Sequence, residues 1–196
     1  MKKTLPADQH KQLNELHKTQ EELSQSWLDY WQDYSHFGTW QFWMNIAMFV
    51  VPLVILYFKL DRKRAILLGF YGLNIHVWFT YIDAVGVRHG LWSYPYQAFP
   101  FMPVSFGLDA SLIPIVFMLV YQWTLNNNKN YYLWVTVLTL VLSFGLKPIM
   151  VLHNFFHLHK GIGYLHLLAA YLVIMLLSKW LTNLFIYFEK KAKVVD

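Results

Sequence analysis

The sequence predicts an all-α fold, a polytopic membrane bundle of five transmembrane helices preceded by an amphipathic N-terminal helix. Hydrophobic residues make up 57% of the 196 residues and charged residues only 14%, a share of apolar side chains that a soluble domain of this size could not keep from water. Five apolar segments reach the roughly 20 residues that a helix needs to cross about 30 Å of hydrocarbon. Cysteine is absent, which excludes disulfides, thiolate metal sites and cysteine nucleophiles.

The first predicted element covers residues 1–39, a helical unit that precedes the membrane domain at residues 40–196. Its apolar side chains follow a heptad spacing, with Gln20 as the one polar member: Leu13, Leu16, Leu23, Trp27, Tyr30, Tyr34 and Phe37. This spacing predicts either a helix that pairs with a second copy or another protein, or a helix that lies on the bilayer or over the protein's own outer face. Its tryptophans near residue 40 are typical of the headgroup layer.

The five predicted crossings are residues 40–60, 64–86, 107–125, 131–152 and 163–188. Basic residues cluster at 59–64 and 190–193, and an odd number of crossings places both clusters on one side. Because basic residues near crossing ends mark the cytoplasmic side, the N-terminus is predicted outside and the C-terminus in the cytoplasm. This topology accounts for the net charge of +5, so the lipid bilayer is the expected partner and a nucleic acid is not.

A few ionisable side chains interrupt the predicted crossings. Each costs about 2.5 to 3.5 kcal/mol at the bilayer centre, so each needs a partner or a function. They are Asp83 at the end of the second crossing, Asp109 at the start of the third, Lys147 near the end of the fourth, and His76 deeper in the second. All but His76 belong to the outer third of a helix, which predicts an outward-facing polar cavity between crossings two to five. Alternatively, Asp109 caps a helix start and Lys147 reaches outward to the interface.

Proline supports the cavity interpretation, because Pro148 follows Lys147 directly and Pro114 follows Asp109 by five residues. A proline inside a crossing frees a carbonyl one turn earlier. That carbonyl is tolerated where protein or a wet cavity satisfies it.

Two histidines at the end of the fourth crossing predict a metal site. His153 and His157 are four residues apart, which on a helix stacks them on one face about 6 Å apart. Such a pair can bind a divalent ion, and zinc would take a third ligand from Asp83, Asp109 or His166 while leaving a position for water. The alternative is a set of interfacial histidines that bond backbone carbonyls or lipid headgroups.

The connection at residues 84–106 is predicted to be a non-helical, aromatic loop. Its glycines at 86 and 90 and its prolines at 95, 100 and 103 oppose a continuous helix. We interpret it either as a lid over the cavity, lined by Trp92 and Tyr94, or as a simple interfacial anchor. Arg88 and His89 are the expected anion contacts of such a lid, or partners for Asp83.

Two sequence runs carry a resemblance. The run D-A-V-G-V-R-H-G-L-W-S-Y at residues 83–94 and the run P-x-x-P-V-x-F-G-L-D at 100–109, with the five crossings, resemble a group of uncharacterised small membrane proteins of spore-forming Firmicutes. The resemblance implies a bacterial plasma membrane. More weakly, His76, Asp83, His153 and His157 are similar to residues of intramembrane zinc hydrolases of the alkaline ceramidase and adiponectin receptor type, which have seven crossings. That similarity implies zinc-dependent hydrolysis.

Three classes of function follow from these patterns. The first is a binding, sensing or assembly component that uses the outward-facing cavity. The second is a metal-dependent intramembrane hydrolase in which a metal-bound water is the nucleophile. The third is a small solute or ion transporter. The chain has no P-loop, no G-x-S-x-G elbow, no H-E-x-x-H and no dinucleotide fingerprint.

Overall fold

The computed structural model describes residues 5–102 and 105–195, with side chains described as far as residue 192. Its helices are α1 (Ala7–Tyr34), α2 (Trp40–Lys59), α3 (Ala65–Arg88), α4 (Ile113–Asn126), α5 (Tyr131–Val141), α6 (Lys147–Leu152) and α7 (Tyr164–Val195). A short 3-10 turn precedes α3 at Arg62–Arg64. Two π-helical turns, Leu108–Leu112 and Leu142–Leu146, lead directly into α4 and α6.

Five helical stretches are long and apolar enough to cross a membrane, which confirms the predicted fold class. They are Trp40–Lys59, Arg62–Arg88, Leu108–Asn126, Tyr131–Leu152 and Tyr164–Ala192. Even the shortest, with 19 residues, extends about 28 Å and matches the hydrocarbon layer. The end of the bundle that holds α1 and the connections 89–102 and 153–163 is called the N-terminal side. The end that holds the turns 60–61 and 127–130 is the C-terminal side.

The two π turns share a sequence pattern, L-x-x-x-L-x-P, at residues 108–114 and 142–148. In each, an amide donates to the carbonyl five residues earlier: Ile113 to Leu108, and Lys147 to Leu142. A proline cannot donate to the carbonyl four residues back and its ring clashes with it, so the wider turn accommodates Pro114 and Pro148 without breaking the crossing. The two crossings that contain these prolines are therefore continuous helices with one widened turn each.

Two helices on the N-terminal side end in the same left-handed cap. After α3, Gly90 has φ +62° and the Leu91 amide donates to the Gly86 carbonyl at 2.9 Å. After α6, Asn154 has φ +60° and the Phe155 amide donates to the Met150 carbonyl at 2.8 Å. These are Schellman caps, for which glycine and asparagine are the favoured residues.

The cap after α3 corrects where the loop was expected to begin. Residues 84–88 belong to α3 and not to a loop, because the helix continues through Gly86 to the cap at Gly90. Gly86 is needed there for another reason, since a Cβ at this position would overlap the Trp92 indole. The predicted loop is therefore shorter, and we call its described part, residues 89–102, the lid. Pro103, one of the prolines expected to break the helix, lies outside the described residues.

A small antiparallel ribbon joins the two connections on the N-terminal side. Strand β1 (Trp92–Ser93) pairs with β2 (His157–Leu158), with Trp92 opposite Leu158. The His159 amide donates to the Leu91 carbonyl at 2.8 Å, which extends the pairing. This ribbon fixes the lid over the ends of α3 and α6.

Helix α1 meets the lid through its C-terminal half. The Trp31 indole donates to the Gln97 carbonyl at 3.0 Å and packs against the Phe42 ring. Farther from the membrane, the heptad residues are open to solvent, with Leu13 52% exposed and Leu16 68% exposed. The apolar stripe predicted from the sequence is therefore present on α1 and exposed over this part of the helix.

Candidate functional site

Three ionisable side chains meet inside the bundle near its N-terminal side: Asp83 on α3, Asp109 in the first π turn and Lys147 at the start of α6. All three are buried, with 4%, 1% and 2% of their surface exposed. Each carboxyl group interacts electrostatically with the other and with the Lys147 ammonium. We call these three residues the charged cluster.

Asp83 is held by two donors from the lid. Its Oδ1 accepts a hydrogen bond from the Trp92 indole at 2.8 Å and another from the Tyr94 hydroxyl at 2.7 Å. Both donors flank Ser93 in the ribbon, so the position of the lid and the orientation of this carboxylate depend on each other. The sequence placed Trp92 and Tyr94 at the site, but it paired Asp83 with Arg88 or His89, whose side chains are exposed at the end of α3.

Lys147 has an aromatic environment. Its Nζ lies 3.7 Å from the centroid of the Phe156 ring and donates to the Tyr94 hydroxyl at 3.3 Å. An ammonium over an aromatic face is stabilised by the ring quadrupole, most strongly where water is excluded. Lys147 therefore points into the protein and does not extend to the membrane surface, as the interfacial alternative required.

Tyr94 connects the two charges by accepting from Lys147 and donating to Asp83. Burial raises the pKa of the Tyr94 phenol well above its ordinary value, and the neighbouring Asp83 and Asp109 carboxylates raise this pKa further. The hydroxyl consequently keeps its proton and serves as a neutral bridge within the charged cluster.

Among residues 5–102 and 105–192, no donor group reaches Asp83 Oδ2 or either carboxylate oxygen of Asp109. The two carboxyl groups lie within hydrogen-bond reach of each other, so they can share a proton when one of them is protonated. A buried acceptor without a partner is costly, and two ionised carboxylates beside one ammonium leave an excess of one negative charge. A cavity of about 20 Å³ between Asp83 and Lys147 has room for one water-sized molecule.

His76 contacts the backbone of the π turn that carries Asp109. Its Nδ1 lies 2.9 Å from the Asp109 backbone carbonyl and 3.4 Å from the Thr80 hydroxyl. The imidazole therefore bonds a backbone group of the π turn and is only half-buried. His76 positions the turn that carries Asp109.

The histidines of the predicted metal site are separated. Helix α6 ends at Leu152, so His153 caps it and His157 lies in β2, where its ring contacts the Asn154 side chain at 3.1 Å. The expectation that His153 and His157 stack on one helix face is therefore wrong, because the cap at Asn154 turns the chain between them. The His166 ring accepts from the Gly163 amide at 3.1 Å, and His166 does not line the small cavity beside Asp83 and Lys147.

Across the described part of the chain, no three histidine, aspartate or glutamate side chains are grouped as metal ligands. The residues that the sequence suggested for zinc, His153, His157, Asp83, Asp109 and His166, thus do not form one coordination sphere in this conformation. Only Asp83 and Asp109 come together.

A second polar group, which sequence reasoning missed, lies toward the C-terminal side. Lys179 Nζ donates to the Tyr121 hydroxyl at 2.7 Å and lies 4.2 Å from the centroid of the same ring. Beside it, the Tyr71 and Tyr131 hydroxyls are hydrogen-bonded at 2.7 Å. We call these four residues the tyrosine cluster. A lysine inside the predicted crossing 163–188 was the signal that could have revealed it.

Three comparisons with known proteins give no further identification. No protein-family model matches the chain, no curated protein matches it, and no solved structure matches it.

Proposed function

We propose that this integral membrane protein is a binding and sensing component whose polar site, the charged cluster, takes up one unit of positive charge from the outer side. The buried carboxylate oxygens of Asp83 and Asp109 that no donor group reaches support this proposal most directly. When both groups are ionised these oxygens are acceptors only, so they suit a proton or a monovalent cation, and one such charge balances the excess negative charge left by Lys147.

The contacts of the lid support a sensing role. Asp83 is bonded to Trp92 and Tyr94, and the same lid is bonded through Gln97 to Trp31 of α1. A change of charge at Asp83 alters the strength of two lid bonds at once. A groove of about 320 Å³ between α1 and the lid reaches Tyr94 from outside. The exposed stripe of α1 is the proposed contact with a second copy or another protein.

The proposal also includes the orientation of the chain in the membrane and the bacterial origin of that membrane. The basic residues near 59–64 and 190–193 favour the C-terminal side as cytoplasmic, although the side chain of Lys193 lies outside the described residues. Together with the resemblance to small membrane proteins of spore-forming Firmicutes, this charge distribution supports an N-terminus outside a bacterial plasma membrane.

Indole fluorescence tests the binding proposal, because Trp92 donates directly to Asp83. The full chain in detergent micelles is titrated with acid at constant salt, and separately with sodium, potassium or ammonium at constant pH. The Trp92 signal is obtained by subtracting the fluorescence of Trp92→Phe from that of the native protein. This signal is expected to change and then reach a plateau in one of the two titrations. A response to acid alone identifies a proton, and a response to the salts identifies a cation.

The matched variants are Asp109→Asn and Asp33→Asn. The first removes a charge from the cluster and is expected to abolish the saturable response. The second removes a charge from the exposed surface of α1 and is expected to leave it unchanged. A response that survives Asp109→Asn would contradict binding at the charged cluster.

Ion transport is a second candidate, favoured by the tyrosine cluster. Polar groups occur in both halves of the bundle, with Lys179 in a crossing otherwise rich in apolar residues. In sealed vesicles, transport predicts a flux that both Asp109→Asn and Lys179→Met reduce and that Lys129→Met does not. A flux insensitive to the first two variants would contradict this candidate. Elemental analysis of the purified protein tests the zinc hydrolase alternative separately.

A further inference from the structure

We propose that the C-terminal side carries a binding groove for one anionic phospholipid, formed by the end of α2 and the turn after it. The groove is a shallow, open one of about 440 Å³, lined by Leu53, Leu56, Tyr57, Leu60 and Arg62. Four of these side chains are apolar or aromatic, and the fifth is a guanidinium at the end of the groove. A phospholipid has the same division, with an acyl chain beneath a charged phosphate.

The dimensions of the groove fit one leaflet. Residues 53 to 60 rise about 10 Å along α2 at 1.5 Å per residue, and the hydrocarbon of one leaflet is about 15 Å deep. The groove thus extends from the membrane surface through about two thirds of a leaflet. Tyr57 is 68% exposed, and its phenol suits the headgroup layer at the upper end of an acyl chain.

The turn above the groove is tied to α4 by hydrogen bonds. The Gln122 side chain accepts from the Asp61 amide at 2.7 Å and donates to the Lys59 carbonyl at 2.8 Å. Arg64 donates to the Asn126 side chain at 2.8 Å. These bonds hold the backbone of the turn before any lipid binds, which lowers the entropy cost of binding.

The distribution of charge in the turn favours an anionic headgroup. Its one carboxylate, Asp61, accepts from the Lys63 amide at 3.0 Å and lies 4.0 Å from Arg64. The side chains of Arg62 and Lys63 are exposed and, within residues 5–102 and 105–192, form no ion pair or hydrogen bond. A guanidinium fork matches phosphate oxygens, and a neighbouring ammonium adds a second charge.

Native mass spectrometry of the full chain in detergent tests the proposal by counting retained lipids during titration with phosphatidylglycerol or phosphatidylcholine. We expect one phosphatidylglycerol per chain to bind more tightly than phosphatidylcholine. The double variant Arg62→Ala, Lys63→Ala should weaken phosphatidylglycerol binding about 25-fold, at about fivefold for each basic residue. The matched double variant Lys190→Ala, Lys191→Ala removes the same charge from α7 and should stay within about twofold of the native protein.

A second variant tests the groove without changing charge. Leu53→Trp fills its deep end and should reduce retention of phosphatidylglycerol, while circular dichroism shows unchanged helix content. Equal binding of the two lipids would overturn the proposal. So would equal weakening by both double variants, which indicates only a general attraction to the basic surface. If the Arg62, Lys63 variant does not fold, unchanged binding by Leu53→Trp would overturn the proposal by itself.

Discussion

Replacing Lys147 by methionine removes the single positive charge of the charged cluster. Methionine keeps most of the volume of the buried lysine, so the change removes an ammonium without opening a large cavity. The ammonium is 3.7 Å from the Phe156 centroid and 3.3 Å from the Tyr94 hydroxyl. Its loss leaves two buried carboxylates without a compensating charge. Removing one partner from a buried ionic group costs about 3 to 5 kcal/mol in the free energy of unfolding.

Thermal unfolding in detergent micelles, followed by circular dichroism, measures this cost. The expected fall in melting temperature for Lys147→Met is about 6 to 20 °C, at about 2 to 4 °C for each kcal/mol. The control Lys129→Met changes an exposed lysine, so its free energy of unfolding should stay within about 0.5 kcal/mol of that of the native protein.

A double variant separates charge from packing. Asp109→Asn removes one carboxylate, so its combination with Lys147→Met should cost less than the sum of the two single changes. Strict additivity, or a Lys147→Met protein as stable as Lys129→Met, would refute the reasoning that opposite charges hold the cluster together.

Three further predictions concern the lid and the topology. Gly86→Ala places a methyl group against the Trp92 indole. The free energy of unfolding should therefore fall by about 1 to 3 kcal/mol, and the tryptophan emission should shift. Unchanged emission would contradict the packing. Tyr94→Phe removes a hydroxyl that bridges two charges and should destabilise the protein by about 1 to 3 kcal/mol, measured by the same thermal unfolding. In intact cells, Gln20→Cys should react with an impermeant thiol reagent, and protection there would count against an outside N-terminus.

The site could be predicted in part, because depth along a helix follows from position in the sequence. The predicted outer side of the membrane holds the crossing ends that carry Asp83, Asp109 and Lys147. The structure brings these three side chains together in the buried interior. Sequence reasoning missed Lys179, although a lysine within the predicted crossing 163–188 is the same kind of signal. Phe156 had no signal in the sequence, since its role as the ring beneath Lys147 depends on the ribbon.

The predicted stacking of His153 and His157 failed at one helix end. The spacing of His153 and His157 fits a helix face only if α6 continues, and the chain instead turns at Asn154. Asparagine directly after an apolar helix is a known stop signal. Asn154 therefore favours a helix end between the two histidines, which assigns them to different elements.

The sequence by itself determined that the chain is a helical membrane protein with five crossings, because hydrophobic content and segment length are sums over neighbouring residues. It also determined which crossings contain ionisable groups. Only the tertiary structure decided which of those groups meet, since contact depends on how each helix is rotated and where it ends. The hydroxyl of Tyr94 bridges Asp83 and Lys147 because a ribbon between distant loops carries it there.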